Sequence, residues 1–185
     1  MITWPMEIPT ILVGDLTLRP WRADDAQNIF RICQDPDIQY FTTVPIPYAL
    51  SDAESFLARQ AKGFATKSDF ALAGEMNGQI ALCVSAFDSI AFEHIIKIGY
   101  WTTPDFRGRG LTARAVEALT DYLFNIGYRR VSADTLPENL GSQKTLLKAG
   151  FEFESTQRMA MTNRDGTQTD GLVFAKIAPE YAKEG

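Results

Sequence analysis

The sequence predicts one mixed α/β domain, a central sheet of about seven strands with about four helices on its faces. Three observations point there. Asn77-Gly78 sits between two apolar runs, "FALAGEM" and "QIALCVSAF", the strongest short-range hairpin signal. Twice, an apolar strand-like run precedes a stretch of helical spacing: "HIIKIGYWT" before residues 113–126, and "RRVSADTL" before "NLGSQKTLLKA". The tail then supplies a second hairpin, folded about Arg164-Asp165-Gly166. The order is strand, two helices, three strands, helix, strand, helix, two strands, which gives a mixed sheet with helices packed on it.

Each element has a local reason. "LTLRP" alternates as a short strand over residues 15–20, and a helix follows, entered through Asp24 or Asp25 and ended by Pro36. Residues 41–50 carry Pro45 and Pro47 and read as an irregular loop. Ser51 with Glu54 forms a capping-box signature for a helix over 52–65. "IIKIGYWT" is apolar on both faces and reads as a central strand. Val116, Leu119, Leu123 and Ile126 keep helical spacing from Ala113 onward, and Gly127 stands where a left-handed cap belongs. Gly150 has the same place after the last helix.

Composition narrows the function classes. Lys+Arg 18 against Asp+Glu 23 leaves a formal charge of −5. A general binder of nucleic acid or anionic membrane is therefore not expected, since neither contact gains from counterion release. Any anion site must be local. With 45% hydrophobic and 22% charged residues the chain is an ordinary globular one, and residues 1–185 suit a single domain. Cys33 and Cys83 lie in apolar surroundings and read as buried thiols; His94 is the only histidine, and no metal is expected. No basic segment leads into an apolar one at the N-terminus, and no run reaches membrane-spanning length, so a soluble cytoplasmic protein is expected.

The stretch "YWTTPDFRGRGLTARA" concentrates the chemistry. A strand ends near Thr102, Pro104 and Asp105 make a turn, and "RGRGLT" runs into a helix. A helix start offers unpaired N–H groups and a partial positive charge, a natural anion seat. Gly108 and Gly110 let a phosphate approach the amides, and Arg107 and Arg109 add charged donors at the rim. A glycine-containing turn with two solvated arginines reads from the same letters. Other nucleotide motifs fit less well: Gly110 precedes Leu111 rather than lysine, and the first strand–helix connection holds no glycine cluster.

"RGRGLT" is similar to the Gln/Arg-x-x-Gly-x-Gly/Ala pyrophosphate loop of the GNAT superfamily of N-acetyltransferases. Across nearly the whole chain, the sequence resembles the branch that includes the ribosomal-protein N-terminal (Rim-type) acetyltransferases. Pro137, Asn139, Ser142, Lys148, Gly150 and Phe151 match its P-x-N-x-x-S and K-x-G-F patterns in order, and "LTLRPWRADDA" resembles its usual opening.

The resemblance implies a GNAT-like, mostly antiparallel mixed sheet, splayed between the fourth and fifth strands. It implies acetyl-CoA as donor, with the pyrophosphate on Arg107, Gly108, Arg109, Gly110, Leu111 and Thr112, and the pantetheine arm along Tyr100, Trp101 and Thr102. A backbone N–H of that strand would hold the acetyl carbonyl while an amine attacks directly in a ternary complex. Three departures stand out. Thr112 replaces the motif's Gly or Ala. Leu146 stands where many members carry a tyrosine acid, and the branch's substitute is Ser142, with Asn139 orienting it. Both residues also contact the coenzyme in this reading. A serine hydroxyl is a poor acid, so hydrogen bonding to sulfur stands beside proton donation. The same pair reads equally as the N-cap and N3 residue of a helix. Lys97 occupies the place of a frequent glutamate base; Glu93, His94 and Asp134 are alternatives, and the base stays unassigned.

By the same resemblance, the acceptor lies between the first helices and the last hairpin, about residues 24–50 and 158–172. Trp21, Tyr40, Phe41 and Tyr48, with Asp35, Asp37, Asp165 and Asp170, suit a cationic amine, whether a protein N-terminal α-amino group or a small amine. They also suit an ordinary hydrophobic loop. Two rival readings are a non-catalytic acyl-CoA sensor and a regulator that holds ATP on the Arg-Gly loop. A monomer and a homodimer both remain open.

Overall fold

Tight turns set the limits of the strands. In the computed structural model, which describes residues 1–182, Gly14 (φ 65°) opens the two-residue link between β1 (Ile11–Val13) and β2 (Leu16–Pro20). A II′ hairpin requires glycine at that place. Asn77 and Gly78, both at positive φ, join β3 (Phe70–Met76) to β4 (Gln79–Ile90) as expected. β5 (Ile95–Thr102), β6 (Arg130–Thr135), β7 (Glu152–Thr162) and β8 (Gln168–Ile177) complete one eight-stranded sheet of order β1-β2-β3-β4-β5-β6-β8-β7. All neighbours run antiparallel except β5 and β6. That parallel pair is short: Ile95, Ile96 and Lys97 face Arg130, Val131 and Ser132, and past them the strands are no longer paired. This opening is the splay expected between the fourth and fifth strands, renumbered because β1 was not foreseen.

Among the described residues, five α-helices flank the sheet: α1 (Ala26–Ile32), α2 (Pro36–Phe41), α3 (Leu50–Ala65), α4 (Leu111–Asn125) and α5 (Leu140–Lys148). Three local expectations need correction. Pro36 opens α2 rather than merely ending the helix before it; Asp35 is the N-cap, accepting from Ile38 N at 2.9 Å, with proline in the first turn. α3 starts ahead of Ser51, and the reciprocal bond at its start comes from Asp52, which accepts from Ala49 N at 2.8 Å. Asp25 turns inward instead of capping α1: its carboxylate accepts from Arg22 N and pairs with buried Arg19 at 2.8 Å, while Arg19 also reaches Glu75 at 2.7 Å. Past α4, Gly127 N bonds Phe124 O and Tyr128 N bonds Leu123 O; past α5, Gly150 N bonds Leu147 O and Phe151 N bonds Leu146 O. Both are Schellman endings.

Alternation along β5 divides the interior. Ile96 and Ile98 join a core of Leu18, Phe70, Leu72 and Val84 beneath Val116, Leu119 and Leu123 of α4. Trp101 points the other way, into a smaller cluster with Trp21, Ile29, Cys33, Tyr48 and Phe56. Cys33 and Cys83 are free, buried thiols, as expected. Among the described residues, no helix is long and apolar enough to cross a membrane.

Candidate active site

From Thr102 the chain passes through a one-turn 3-10 segment, Pro104–Phe106, and reaches α4 by way of Gly108 (φ 75°) and Gly110 (φ 71°). Gly110 is the N-cap of α4, and no side chain caps the helix there, so its first-turn amides are available to an anion. A Cβ at Gly108 would meet nothing within 4 Å, whereas one at Gly110 would lie 2.8 Å from Lys148 Nζ. The seat is therefore open at the first glycine and roofed at the second by a cation from the last turn of α5. The motif reading included Lys148 but gave it no part in the site; its place one residue ahead of the helix-ending Ala149-Gly150 was the available signal.

The arginines are held differently from the expectation. Arg107 donates to Asp37 Oδ2 at 2.8 Å, to Asp35 Oδ1 and to Thr102 O, tying the loop to the start of α2. Arg109 donates to Asp105 O at 2.6 Å and lies over the Phe106 ring. Both guanidinium groups thus have partners within the chain. Thr112 is nearly buried, and its hydroxyl bonds the Thr102 hydroxyl at 2.5 Å. The departure from Gly or Ala is thereby absorbed by a strand-to-helix contact. Leu111 is buried in the main core and leaves only its backbone to the seat.

Around the opening of the sheet, Asn139 caps α5 by accepting from Ser142 N at 3.0 Å, as its position implied. Ser142 Oγ lies 2.9 Å from the hydroxyl of Tyr100, a strand residue 42 positions away. Burial pushes the Tyr100 phenol up to about 12, and the Ser142 bond offsets part of the rise. Leu146 is fully buried in the main core. Trp101 does not join these groups; its ring packs 6.1 Å from Trp21 on the opposite face.

The three alternatives for a base separate cleanly. His94 Nδ1 lies 2.7 Å from Gly127 O, beside the C-terminal end of α4 and so at the end remote from Gly110; Glu93 precedes it in the same turn. Asp134 lies past the last β5–β6 pair, where Lys97 holds it at 2.6 Å.

On the flank where the acceptor was expected, the tip of the β7–β8 hairpin reaches the loop after α2: Arg164 donates to Thr42 O, and to Val44 O at 2.8 Å. Tyr40 donates to Glu138 at 3.2 Å, and Tyr48 is buried. All four aspartates singled out there are already bonded within the chain. Asp35 and Asp37 hold Arg107, Asp165 holds Thr167, and Asp170 accepts from Met159 N.

A sheet parted between two parallel strands, beside a helix start reached through left-handed glycines, is the arrangement that the resemblance to acetyltransferases implied. Residues 15–152 match the acetyltransferase (GNAT) domain, and the chain belongs to that acetyltransferase family. Among curated relatives, the probable N-acetyltransferase YjcK of Bacillus subtilis is 34% identical over 84 residues, covering 45% of this chain and 46% of YjcK, less than half of that relative's length. The uncharacterized N-acetyltransferase YoaA of Bacillus subtilis is 25% identical over 92% of this chain and 98% of its own. Solved structures share the fold. The ribosomal L7/L12 α-N-protein acetyltransferase RimL, in complex with coenzyme A, superimposes with a TM-score of 0.85 at 17% identity, covering 91% of this chain and 98% of RimL. The microcin C7 self-immunity acetyltransferase MccE, in complex with acetyl-CoA and AMP, gives 0.82 at 21% identity, covering 89% and 93%.

Proposed function

We propose that this chain acts in the cytoplasm as a one-domain N-acetyltransferase, residues 1–185, passing the acetyl group of acetyl-CoA to a primary amine by direct attack in a ternary complex. The observation that carries the proposal is the placement of the parted β5–β6 pair directly beside the uncapped start of α4. The residues present fit this donor, because the space a Cβ would fill at Gly108 is open to a phosphate. When bound, acetyl-CoA supplies an activated thioester.

In this proposal the amides after Gly108 and Gly110 hold the diphosphate, with Lys148 above them. Along Tyr100, Trp101 and Thr102, backbone groups past the last β5–β6 pair guide the pantetheine arm, and one N–H there polarises the acetyl carbonyl. The N–C bond forms as the C–S bond breaks, sulfur keeps the electron pair, and the amine's lost proton is balanced by the one the thiolate gains. Ser142 meets the sulfur, and Asn139 holds Ser142 in place. A protein N-terminal α-amino group is the preferred acceptor; the resemblance to the Rim-type branch and the fold shared with RimL support it.

A thiol-release assay with acetyl-CoA and a panel of peptides and small amines tests the proposal. Turnover on at least one amine is expected, and coenzyme binding without turnover on any amine overturns it. That second outcome would favour an acyl-CoA sensor, a reading motivated by Leu146 and by the neutralising Lys97–Asp134 pair. The double variant Arg107→Glu with Gly110→Val is expected to abolish coenzyme binding while the fold remains. Unchanged affinity would place the coenzyme elsewhere.

A further inference from the structure

We infer that Tyr100 is a positioning residue for Ser142, its phenol fixing the serine hydroxyl so that the hydroxyl's own proton faces the coenzyme sulfur. This rests on the coenzyme placement proposed above. Tyr100 Oη has two possible acceptors, Ser142 Oγ at 2.9 Å and Ser142 O at 3.2 Å. The carbonyl already belongs to the hydrogen-bond ladder of α5, so the hydroxyl is the freer and nearer partner. The phenol stays protonated at neutral pH and so has a proton to give; the lowering effect of Ser142 belongs to the ionised phenolate, toward which the serine would donate instead. Once Ser142 Oγ accepts from Tyr100, its single proton must point elsewhere. Asn139 already fixes the amide of the same residue at 3.0 Å. Backbone and side chain of Ser142 are thus held by two different elements, a helix cap and a strand.

This arrangement accounts for an aromatic hydroxyl reaching the site although Leu146 occupies the usual tyrosine's place. Leu146 is sealed in the core. The phenol comes instead from β5, the strand along which the pantetheine arm is proposed to lie.

The test is titration of the thiol of bound coenzyme A, followed by thiolate absorbance, in the wild type, Tyr100→Phe, Ser142→Ala and the double variant. A hydroxyl donating to the thiolate lowers the bound thiol's midpoint. Each single variant is expected to raise it by about one pH unit, and the double variant to raise it no further. With an amine acceptor, kcat of Tyr100→Phe falls about tenfold while KM for acetyl-CoA holds. Phenylalanine keeps the ring's packing, and a thermal melt matching wild type checks the fold. An unchanged midpoint in Tyr100→Phe, or shifts that add in the double variant, overturns the inference. Failure of coenzyme A to bind the wild type overturns the coenzyme placement itself.

Discussion

Arg107 reaches across 70 residues of sequence to Asp37, at 2.8 Å, so the loop before α4 is fastened to the helix that borders the acceptor flank. The carboxylate competes with any phosphate for the same guanidinium. Asp37→Asn is expected to tighten acetyl-CoA binding by about threefold in calorimetry, in keeping with the modest strength of exposed ion pairs. Asp35 is the poorer choice for this test because it also caps α2. Weaker binding in Asp37→Asn would mean that the clasp holds the loop in its binding form.

Arg164 closes the acceptor flank through Thr42 O and Val44 O. Arg164→Ala should raise KM for the amine several-fold and leave acetyl-CoA affinity alone, since Arg164 makes no bond to the proposed diphosphate loop. Steady-state kinetics with each substrate varied in turn would show it, and a matching loss of coenzyme affinity would count against this separation.

Asp134 and His94 make a paired prediction. His94→Ala should leave turnover unchanged, because the ring is held at the end of β5 remote from Gly110. Asp134→Asn, at the mouth of the parted strands, tests the one candidate base that borders the opening: a kcat lower by about a hundredfold would assign it that role in spite of its pair with Lys97. Equal rates for Asp134→Asn and wild type would leave solvent as the proton acceptor.

Stability at low pH should follow Asp25. Burial pushes its carboxyl up, but the bonds from Arg19 and Arg22 outweigh that and hold it below the ordinary carboxylate value. Its contribution is therefore complete above about pH 4 and fades as pH falls through the lowered value. Asp25→Ala leaves buried Arg19 with one carboxylate fewer and should cost about 3 kcal/mol at neutral pH. In Asp25→Asn the acid limb of the Tm-against-pH curve should flatten.

What could be read from sequence was local. The Asn77-Gly78 turn, the Asn139 cap and the spacing of Val116, Leu119 and Leu123 each depend on neighbours within a few residues. β1 escaped because three residues show no period; pairing with Leu16, Thr17 and Leu18 defines that strand. Asp35-Pro36 reads as a stop and as a start, and only the bond to Ile38 N decides between them. The capping pair of α3 was misplaced because Ser51, Asp52 and Glu54 all offer oxygens near the helix start. In the site, the glycines and Asn139 followed from the pattern. The partners of Tyr100 and Arg107 did not, since separations of 42 and 70 positions carry no sign of contact.

The proposed seat at the start of α4 draws its positive end from backbone amides and the single ammonium of Lys148, in a molecule whose formal charge is −5. A multiply charged anion therefore approaches against a repulsive far field and is gripped only within the last few ångströms. Dissolved ions damp the repulsion over a Debye length, while groups at bonding distance are shielded far less. Capture in the proposed seat should thus quicken as ionic strength rises, the opposite of proteins that reel in anions with a basic surface.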